Sequence, residues 1–316
     1  MGERVRAFGS PGGSPGARPG PPAASGTGAP GEIPHQPLPS PSVTCEAPPL
    51  DVDALRAALL APIGPWAALD LVERTGSTNA DLLAAAAAGA VDRTVLVAEH
   101  QEAGRGRLTR IWESPPRSGI TVSVLWRPEG VPADRFGWLP MLAGLALLDT
   151  VRDVTDVQAG LKWPNDLLLG PGQRKAAGIL AEMTAVTGGG PGVVLGIGLN
   201  VGAALDELPP GATSLAAEGA EVDRGALLIT LLTRLAAREK QWRAAAGDAE
   251  AIGLRGDYRA GCASLGSAVR VELPGGTSLV GMAEDVDAHG RLLLLGADGR
   301  RQPIAAGDVV HLRPAE

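Results

Sequence analysis

The sequence has few cysteines, few aromatic residues and no long apolar run. Its two cysteines, Cys45 and Cys262, lie far apart and belong to no CxxC or His/Cys pattern, so we expect free thiols in a reducing cytosol. Charged residues or prolines interrupt every apolar segment before it reaches membrane-spanning length, and the N-terminus has no apolar signal core. These absences predict a cytoplasmic protein that does not span a membrane.

The sequence also lacks an excess of positive charge. Its 28 basic and 35 acidic side chains give a net charge of −7 over 316 residues. A nucleic-acid-binding protein needs a broad basic face to displace counterions from phosphates, so we expect no nucleic-acid partner. A local basic cluster inside a pocket remains compatible with this balance.

Composition divides the chain into three parts. Residues 1–50 hold 12 prolines and 9 glycines, which predicts a disordered tail because too little apolar surface is present to offset the ordering entropy. Residues 51–264 form the predicted main domain. Residues 265–316 contain short apolar segments broken by "PGG", "AHG" and "ADG", which predict a small β-barrel.

The main domain mixes predicted helices and strands without a regular alternation, which favours an α+β fold. Helices are predicted at "DVDALRAALL", "STNADLLAAAAAG", "GWLPMLAGLALLDTVRDV" and "DRGALLITLLTRLAAREKQWRA", and strands at "TVLVAEHQ", "GITVSVLWRP", "AGLKWP", "KAAGILAEM" and "GVVLGIGLNV". In "GITVSVLWRP" apolar residues alternate with Thr121, Ser123, Leu125 and Arg127, which predicts a half-buried strand.

An arginine-rich loop follows the first of these strands. "GRGRLTR" places Arg105, Gly106, Arg107 and Arg110 together but lacks the GK[ST] ending of a phosphate-binding P-loop. Glycines permit close approach to a ligand, and guanidinium groups match phosphate oxygens in pairs. Taken alone, the loop is compatible with an anion site, with a solvated turn or, less well, with a nucleic-acid arm.

Three other segments carry polar residues near strand ends. "KWPND" contains Lys162, Asn165 and Asp166, and composition alone favours a simple turn there. In "RKAAGIL", Lys175 begins an apolar strand, where an isolated lysine is usually a surface charge. "GIGLN" departs from the dinucleotide-binding glycine spacing and ends in Asn200.

Together these motifs resemble those of the biotin protein ligases. Ser77-Thr78-Asn79, Gln101 with "AGRGR", "KWPND", "KAAGIL" and "GIGLN" occur in the family's order and approximate spacing, within residues 70 to 313. The resemblance implies a catalytic domain related to class II aminoacyl-tRNA synthetases, a mixed sheet with flanking helices, followed by an SH3-like β-barrel. Two departures stand out: Thr109 replaces a glycine of "GRGRxGR", and the N-terminal helix-turn-helix of the ligase-repressors is missing.

The resemblance implies an ATP-dependent, AMP-forming ligase. It would activate biotin as biotinyl-5′-AMP, with Mg²⁺ as cofactor, and transfer biotin to a lysine of the carrier domain of an acyl-CoA carboxylase. The implied catalytic residues are Lys175, Arg105 and Arg107; biotin would contact these and Ser77, Thr78, Asn79, Gln101 and Gly106. The nucleotide would contact Arg110, Trp112, Lys162, Asn165, Asp166 and Asn200, and Asp166 would help to place the metal ion.

Three alternatives stay open from the sequence. A lipoate or octanoate ligase or transferase shares the general fold, although the arginine loop and the predicted barrel favour biotin. A non-catalytic, biotin-sensing DNA-binding regulator and an inactive scaffold have less support. The sequence predicts neither the acceptor protein nor the oligomeric state.

Overall fold

The described part of the chain contains a seven-stranded β-sheet with helices packed on both faces, a smaller five-stranded sheet and a two-stranded hairpin. The computed structural model describes residue 20 and residues 47–107, 110–184 and 190–312. The predicted disordered tail therefore lies outside the described residues except for residue 20 and residues 47–50. Within the described ranges, no helix is both long and apolar enough to cross a membrane.

The elements follow one another along the chain as helices α1–α5 and strands β1–β14. The helices are α1 (Val52–Leu59), α2 (Thr78–Ala87), α3 (Leu139–Val154), α4 (Arg224–Ala244) and α5 (Leu254–Gly261). The larger sheet contains β1 (Ala68–Thr75), β2 (Thr94–Gln101), β5 (Gly119–Trp126), β6 (Ala159–Lys162), β7 (Asp166–Leu169), β8 (Arg174–Thr184) and β9 (Gly192–Asn200). A short hairpin consists of β3 (Gly104–Arg105) and β4 (Ile111–Trp112). The smaller sheet contains β10 (Ala268–Glu272), β11 (Ser278–Val286), β12 (Leu292–Leu295), β13 (Arg301–Ile304) and β14 (Asp308–His311).

Helix boundaries follow the capping residues in the sequence. Asp51 caps α1 by accepting hydrogen bonds from two backbone amides, and Asp223 caps α4 by accepting one from the amide of Ala226. Ser77, not Thr78, is the N-cap of α2, and Gly89 beyond its end has φ of 100°, a conformation that favours glycine. The four predicted helices of the main domain are confirmed.

The larger sheet has the strand order β1-β2-β5-β9-β8-β7-β6. Only the β1–β2 pair is parallel, so the sheet is mixed, and the α+β prediction is confirmed. The smaller sheet is antiparallel with the order β13-β12-β11-β10-β14. The sequence predicts neither β1 nor β13, because both lie at sheet edges and carry charged residues or a proline. For β7 it indicates only a short apolar run.

The prediction that β5 is half-buried is wrong. Seven of its eight residues are buried, because helices cover both faces of the sheet. Val122 and Val124 face the main core with α3 and α4, whereas Leu125 packs against Leu82 of α2 on the opposite face. The alternation of apolar and polar residues therefore separates two buried environments.

Strand register aligns polar residues and glycines on the α2 face. Thr121 of β5 pairs with Gly198 of β9, which pairs with Gly178 of β8, which in turn pairs with Asp166 of β7. The next row on the same face begins with Ser123 of β5. Because the glycines in these rows have no side chains, a depression remains in the sheet surface between the polar residues at the ends of the rows.

The two sheets contact each other near the end of β6. The indole of Trp163 donates a hydrogen bond to the carbonyl of Gly290 at 3.1 Å, and Arg255 of α5 pairs with Asp285 of β11 at 2.8 Å. These contacts bring the start of β14 next to the arginine loop of the larger sheet. The domain boundary between residues 264 and 265 stays a prediction.

Candidate active site

One pocket on the α2 face of the larger sheet contains most of the residues that the motifs indicated. It is bounded by the start of α2, the end of β2, the β3–β4 hairpin and the middle of β8 and β9. Twelve predicted residues line it: Ser77, Thr78, Asn79, Gln101, Arg105, Gly106, Arg107, Arg110, Trp112, Asn165, Asp166 and Lys175. Apolar side chains, among them Ile111, Ile179, Leu180 and Ile197, complete its wall.

Two glycines form the floor of the pocket. Gly178 and Gly198 are cross-strand partners, and the ring of Trp112 lies over both. A Cβ atom on Gly198 would lie 2.4 Å from the indole, and one on Gly178 would lie 3.3 Å from it. A flat group can therefore approach the sheet backbone only because these positions lack side chains. This explains the glycines of "KAAGIL" and "GIGLN".

Hydroxyl and amide groups lie together at one end of the pocket. The amide nitrogen of Thr78 donates to Gln101 Oε1 at 2.8 Å, and the Thr78 hydroxyl lies 3.0 Å from the same oxygen. The neighbouring Ser77 hydroxyl caps α2 through a 3.4 Å contact with the amide of Ala80. Polar groups at the end of a largely apolar slot can orient a small ligand.

Asn79 belongs to the same end, but its carboxamide is engaged by the protein. Its nitrogen donates to Glu182 Oε2 at 2.8 Å and to the carbonyl of Leu180 at 3.3 Å. Its oxygen accepts a hydrogen bond from the Ser123 hydroxyl at 2.6 Å. Asn79 therefore supports the wall of the pocket and has no free amide group directed at a ligand.

Lys175 and Asp166 form an ion pair at the other end. Lys175 Nζ lies 2.7 Å from Asp166 Oδ1 and 5.9 Å from the centre of the Trp112 ring. The backbone of Lys175 is held on both sides, since its amide donates to Gly211 and its carbonyl accepts from Thr213. The ammonium group is thus fixed in position while its side chain stays 35% exposed to the pocket.

The arginine loop supplies three further cations, each with a carboxylate partner. Arg105 lies 3.5 Å from Glu182 of β8, and Arg110 contacts Asp308 at the start of β14. Arg107 donates to Asn165 Oδ1 at 3.0 Å and lies 3.6 Å from Asp308. The loop is therefore attached to the larger sheet at one end and to the smaller sheet at the other.

Burial lowers the pKa of the Arg107 guanidinium from its ordinary value, while the nearby carboxylates of Asp308 and Asp166 oppose that shift. An arginine still carries its charge at neutral pH. Burial also makes this charge more effective, because a low-dielectric surrounding strengthens its attraction to an anion. Thr109, the departure from the family loop, lies outside the described residues.

Two predicted residues lie beside the pocket and do not line it. Lys162 lies 3.4 Å from Asp166 Oδ2, in a neighbouring groove that it shares with Lys175 and His311. Asn200 is buried at the end of β9 and donates to the carbonyl of Thr213 at 3.0 Å. Its side-chain oxygen has no hydrogen-bond partner in the described part of the chain.

Sequence reasoning missed four polar residues of this site. Thr121 and Asp308 line the pocket, and Ser123 and Glu182 support Asn79 from behind. The alternation in β5 could have drawn attention to Thr121 and Ser123 if that face had not been assigned to solvent. Nothing in the sequence connects Asp308 to a loop about 200 residues earlier.

Comparisons with known proteins agree with this geometry. The model of the "Biotin/lipoate A/B protein ligase family" matches residues 71–200, and that of the "Biotin protein ligase C terminal domain" matches residues 264–312. A biotin--[acetyl-CoA-carboxylase] ligase from Mycobacterium tuberculosis is 50% identical over 271 residues, which cover 84% of this chain and 97% of that protein.

Two further relatives extend the comparison. The bifunctional ligase/repressor BirA of Salmonella typhimurium is 32% identical over 84% of this chain and 79% of its own length. The biotin protein ligase of Aquifex aeolicus, solved in complex with biotin and ATP, superposes with a TM-score of 0.64 at 26% identity, covering 79% of this chain and 100% of that one. The motifs, the pocket and these likenesses agree, and the chain belongs to the biotin protein ligase family.

Proposed function

We propose that the pocket around Lys175 performs both half-reactions of an ATP-dependent biotin protein ligase. In the first, the biotin carboxylate displaces pyrophosphate from ATP and forms biotinyl-5′-AMP. In the second, a lysine of an acceptor protein displaces AMP. The observation that carries the proposal is the position of Lys175, held by Asp166 at 2.7 Å in the pocket whose opposite end contains Thr78 and Gln101.

Charge is the main obstacle in the first half-reaction. A carboxylate oxygen must approach the α-phosphorus of a polyanion while the bond to the β-phosphate oxygen breaks. Fixed cations stabilise the charge that develops in such a transition state. Lys175 would contact the biotin carboxylate and the α-phosphate together, and Arg105 and Arg107 would contribute from the loop. Arg110 would assist on the phosphate side.

The opposite end of the pocket suits the ureido ring of biotin. That ring has one carbonyl acceptor and two N–H donors, and the hydroxyls of Ser77 and Thr78 with the amide of Gln101 provide complementary groups. Gly178 and Gly198 let the Trp112 indole pack directly on the floor, so the flat bicyclic ring would lie against the indole. Trp112 would in this way help to keep water from the reactive anhydride.

Asn200 would bind the adenine. Its buried oxygen without a described partner is an acceptor that fits an exocyclic amine, since an unpaired buried acceptor is costly until a donor arrives. Adenine would have to reach it at the end of β9, beside Trp112. Asn165 and Lys162, on either side of Asp166, would contact the nucleotide from the phosphate side.

The second half-reaction needs an exposed route for a lysine. The acceptor amine attacks the acyl carbon of biotinyl-5′-AMP, the acyl–oxygen bond breaks, and AMP departs with the bonding electrons while the amine loses a proton. A carrier domain of an acyl-CoA carboxylase is the proposed acceptor, in keeping with the name of the mycobacterial relative. The arginine loop would limit hydrolysis until that amine arrives.

Asp166 does not fit a magnesium ligand in this arrangement. Its two carboxylate oxygens already pair with Lys175 and Lys162, which would both have to leave before a cation could bind there. The described residues also contain no cluster of three or more potential metal ligands. We therefore assign no chemical step to a metal held by this chain.

The proposal is tested by transfer of labelled biotin to a purified carrier domain, with and without ATP. Incorporation that requires ATP, with pyrophosphate release that requires biotin, is the expected result. Lipoate in place of biotin gives the decisive comparison, because the family model covers both kinds of ligase. Lipoate-dependent and biotin-independent pyrophosphate release would contradict the proposal.

A further inference from the structure

One hydroxyl in the wall of the pocket belongs to none of the motifs and is unpaired. Thr121 of β5 lines the pocket and is 9% exposed, and its side-chain oxygen has no hydrogen-bond partner in the part of the chain that the structure describes. A buried hydroxyl gives up bonds to water, which costs free energy until another group replaces them. The Thr121 hydroxyl is therefore available to a ligand.

The other hydroxyls at this end of the pocket are already engaged. The end that contains Thr78 and Gln101 is called the ring end below. Ser77 caps α2, and the Thr78 hydroxyl lies 3.0 Å from Gln101 Oε1 and 2.7 Å from the Ser123 hydroxyl. Among the described hydroxyls of the ring end, only that of Thr121 keeps its proton and both lone pairs free.

Strand geometry places Thr121 beside these groups. Residues i and i+2 of a strand face the same side, so Thr121 lies on the face of Ser123, about 7 Å along β5 from it. Ser123 in turn contacts Thr78 at the start of α2. Thr121 and Gln101 also border a small second cavity next to the pocket, together with Trp112. The free hydroxyl thus belongs to the ring end.

The opposite end of the same cross-strand row carries the cation. Thr121 pairs with Gly198, Gly198 with Gly178, and Gly178 with Asp166, whose carboxylate holds Lys175 Nζ at 2.7 Å. Three strand spacings, about 14 Å, separate Thr121 from Asp166. A ligand with a carboxylate at one end and a polar ring at the other matches the two ends of this row.

We propose that Thr121 is a biotin-binding residue whose hydroxyl forms a hydrogen bond with the ureido group of the ring. This inference rests on the proposed function and adds a direct contact to it. The ureido group has two N–H donors and one carbonyl acceptor, and a free hydroxyl pairs with either kind. Binding of the ring would therefore satisfy a hydroxyl that the protein leaves unpaired.

The first test is Thr121→Val, which replaces the hydroxyl by a methyl group of similar size. The assay is biotin-dependent pyrophosphate release by the full-length chain. The KM for biotin should rise about tenfold, while kcat and the KM for ATP change less than about twofold. Thr121→Ser keeps the hydroxyl and should raise the KM for biotin much less. An unchanged KM for biotin in Thr121→Val, an equal rise in the KM for ATP, or equal rises in the two variants overturns the inference.

Thr150→Val is the matched control for the loss of a buried threonine hydroxyl. Thr150 is fully buried, and its hydroxyl donates to the carbonyl of Ala146 within α3, away from the pocket. Its KM for biotin should equal that of the wild type, and a rise as large as that of Thr121→Val overturns the inference. Should Thr121→Val not fold, Thr121→Ala carries the test with the same expected rise.

Desthiobiotin shows which part of the ring Thr121 contacts, because it keeps the ureido group and lacks the sulfur. Calorimetric titration should show that Thr121→Val weakens binding of biotin and of desthiobiotin by about the same factor, roughly tenfold. A loss confined to biotin would place the hydroxyl against the sulfur and overturn the assignment to the ureido group.

Two outcomes separate this inference from the proposed function. If the wild-type chain shows no biotin-dependent pyrophosphate release, the proposed function fails and the inference fails with it. If the wild type is active and Thr121→Val is indistinguishable from it in both assays, only the inference fails.

Discussion

Asp166 lies between two lysines, with Lys175 Nζ at 2.7 Å from one carboxylate oxygen and Lys162 Nζ at 3.4 Å from the other. These are two of only three lysines in the chain. Asp166 and Gly178 are cross-strand partners, so the same register that leaves the floor of the pocket open also fixes the carboxylate that holds Lys175. The cation is therefore oriented before any substrate binds.

Arg107 should contribute more to retention of the adenylate than Arg110. The side chain of Arg107 is only 21% exposed and is fixed by Asn165 and the carbonyl of Gly307, whereas that of Arg110 is 58% exposed and has Asp308 as its only described ion-pair partner. We expect Arg107→Ala to release biotinyl-5′-AMP about tenfold or more faster, and Arg110→Ala to have a smaller effect. Dissociation of preformed adenylate, followed in stopped flow, measures both. Equal rates for the two variants would contradict this ranking.

A side chain at position 198 should block the floor of the pocket. The Cβ of Gly198→Ala would overlap the Trp112 ring, so the indole must move into the space that biotin would use. The KM for biotin should rise at least about tenfold, and the free energy of unfolding should fall by about 1–3 kcal/mol at most, the ordinary cost of overpacking. Calorimetric titration with biotin checks the loss of binding.

Gly256→Ala is the matched control for that variant. A Cβ atom at Gly256 meets nothing within 4 Å, and its φ lies outside the left-handed region. Adding Trp112→Ala to Gly198→Ala should restore part of the lost affinity. No recovery in the double variant would mean that the indole is not the obstructing group.

The N-terminal deletion that the protein tolerates should end before Pro48. The carbonyl of Pro48 accepts from Arg224, and the amide of Leu50 donates to Glu99, the buried partner of Arg224. Deletion of residues 1–46 should leave activity and melting temperature unchanged, since it removes none of these contacts. Deletion of residues 1–50 should lower stability by about 1–3 kcal/mol, because buried polar groups lose partners. Equal melting temperatures for the two truncations would show that this anchor is unimportant.

Acid should weaken the contact between α5 and the smaller sheet. Arg259 and Arg255 hold the pKa of Asp285 at about 2, below its ordinary value of 3.8. Because the folded-state pKa is depressed, the stabilisation is fully present above about pH 4 and disappears as the pH falls through about 2. Asp285→Asn should be less stable than the wild type at pH 7, and the difference should shrink towards pH 2. Urea unfolding at both pH values measures this, and a constant difference would contradict the assignment.

Much of the local structure could be predicted from the sequence, because its signals are local. Asp51, Ser77 and Asp223 cap helices that begin where the apolar pattern begins. The twelve pocket residues are predicted by the combination of motifs, which together resemble those of one family. No single motif indicates them. Lys175 read by itself was an ordinary surface charge.

The features of the fold and of the site that the sequence does not predict depend on tertiary contacts. The alternation in β5 was correct, but an alternating pattern cannot distinguish a face in water from a face covered by a helix, and so Ser123 was overlooked. Asp308 reaches Arg107 and Arg110 only because the smaller sheet packs against the loop. β13 is an edge strand that contains Pro303, a residue that ordinarily argues against a strand.

Stabilisation of the anions by Lys175 during adenylate formation is tested with the Lys175→Ala variant. The measurement is single-turnover formation of biotinyl-5′-AMP from labelled ATP, with Lys240→Ala, a change at an exposed lysine of α4, as control. Lys175→Ala should remain folded and form the adenylate at least about 10²-fold more slowly, while Lys240→Ala should behave as the wild type. Formation of biotinyl-5′-AMP by Lys175→Ala at a near-normal rate would contradict this role of Lys175.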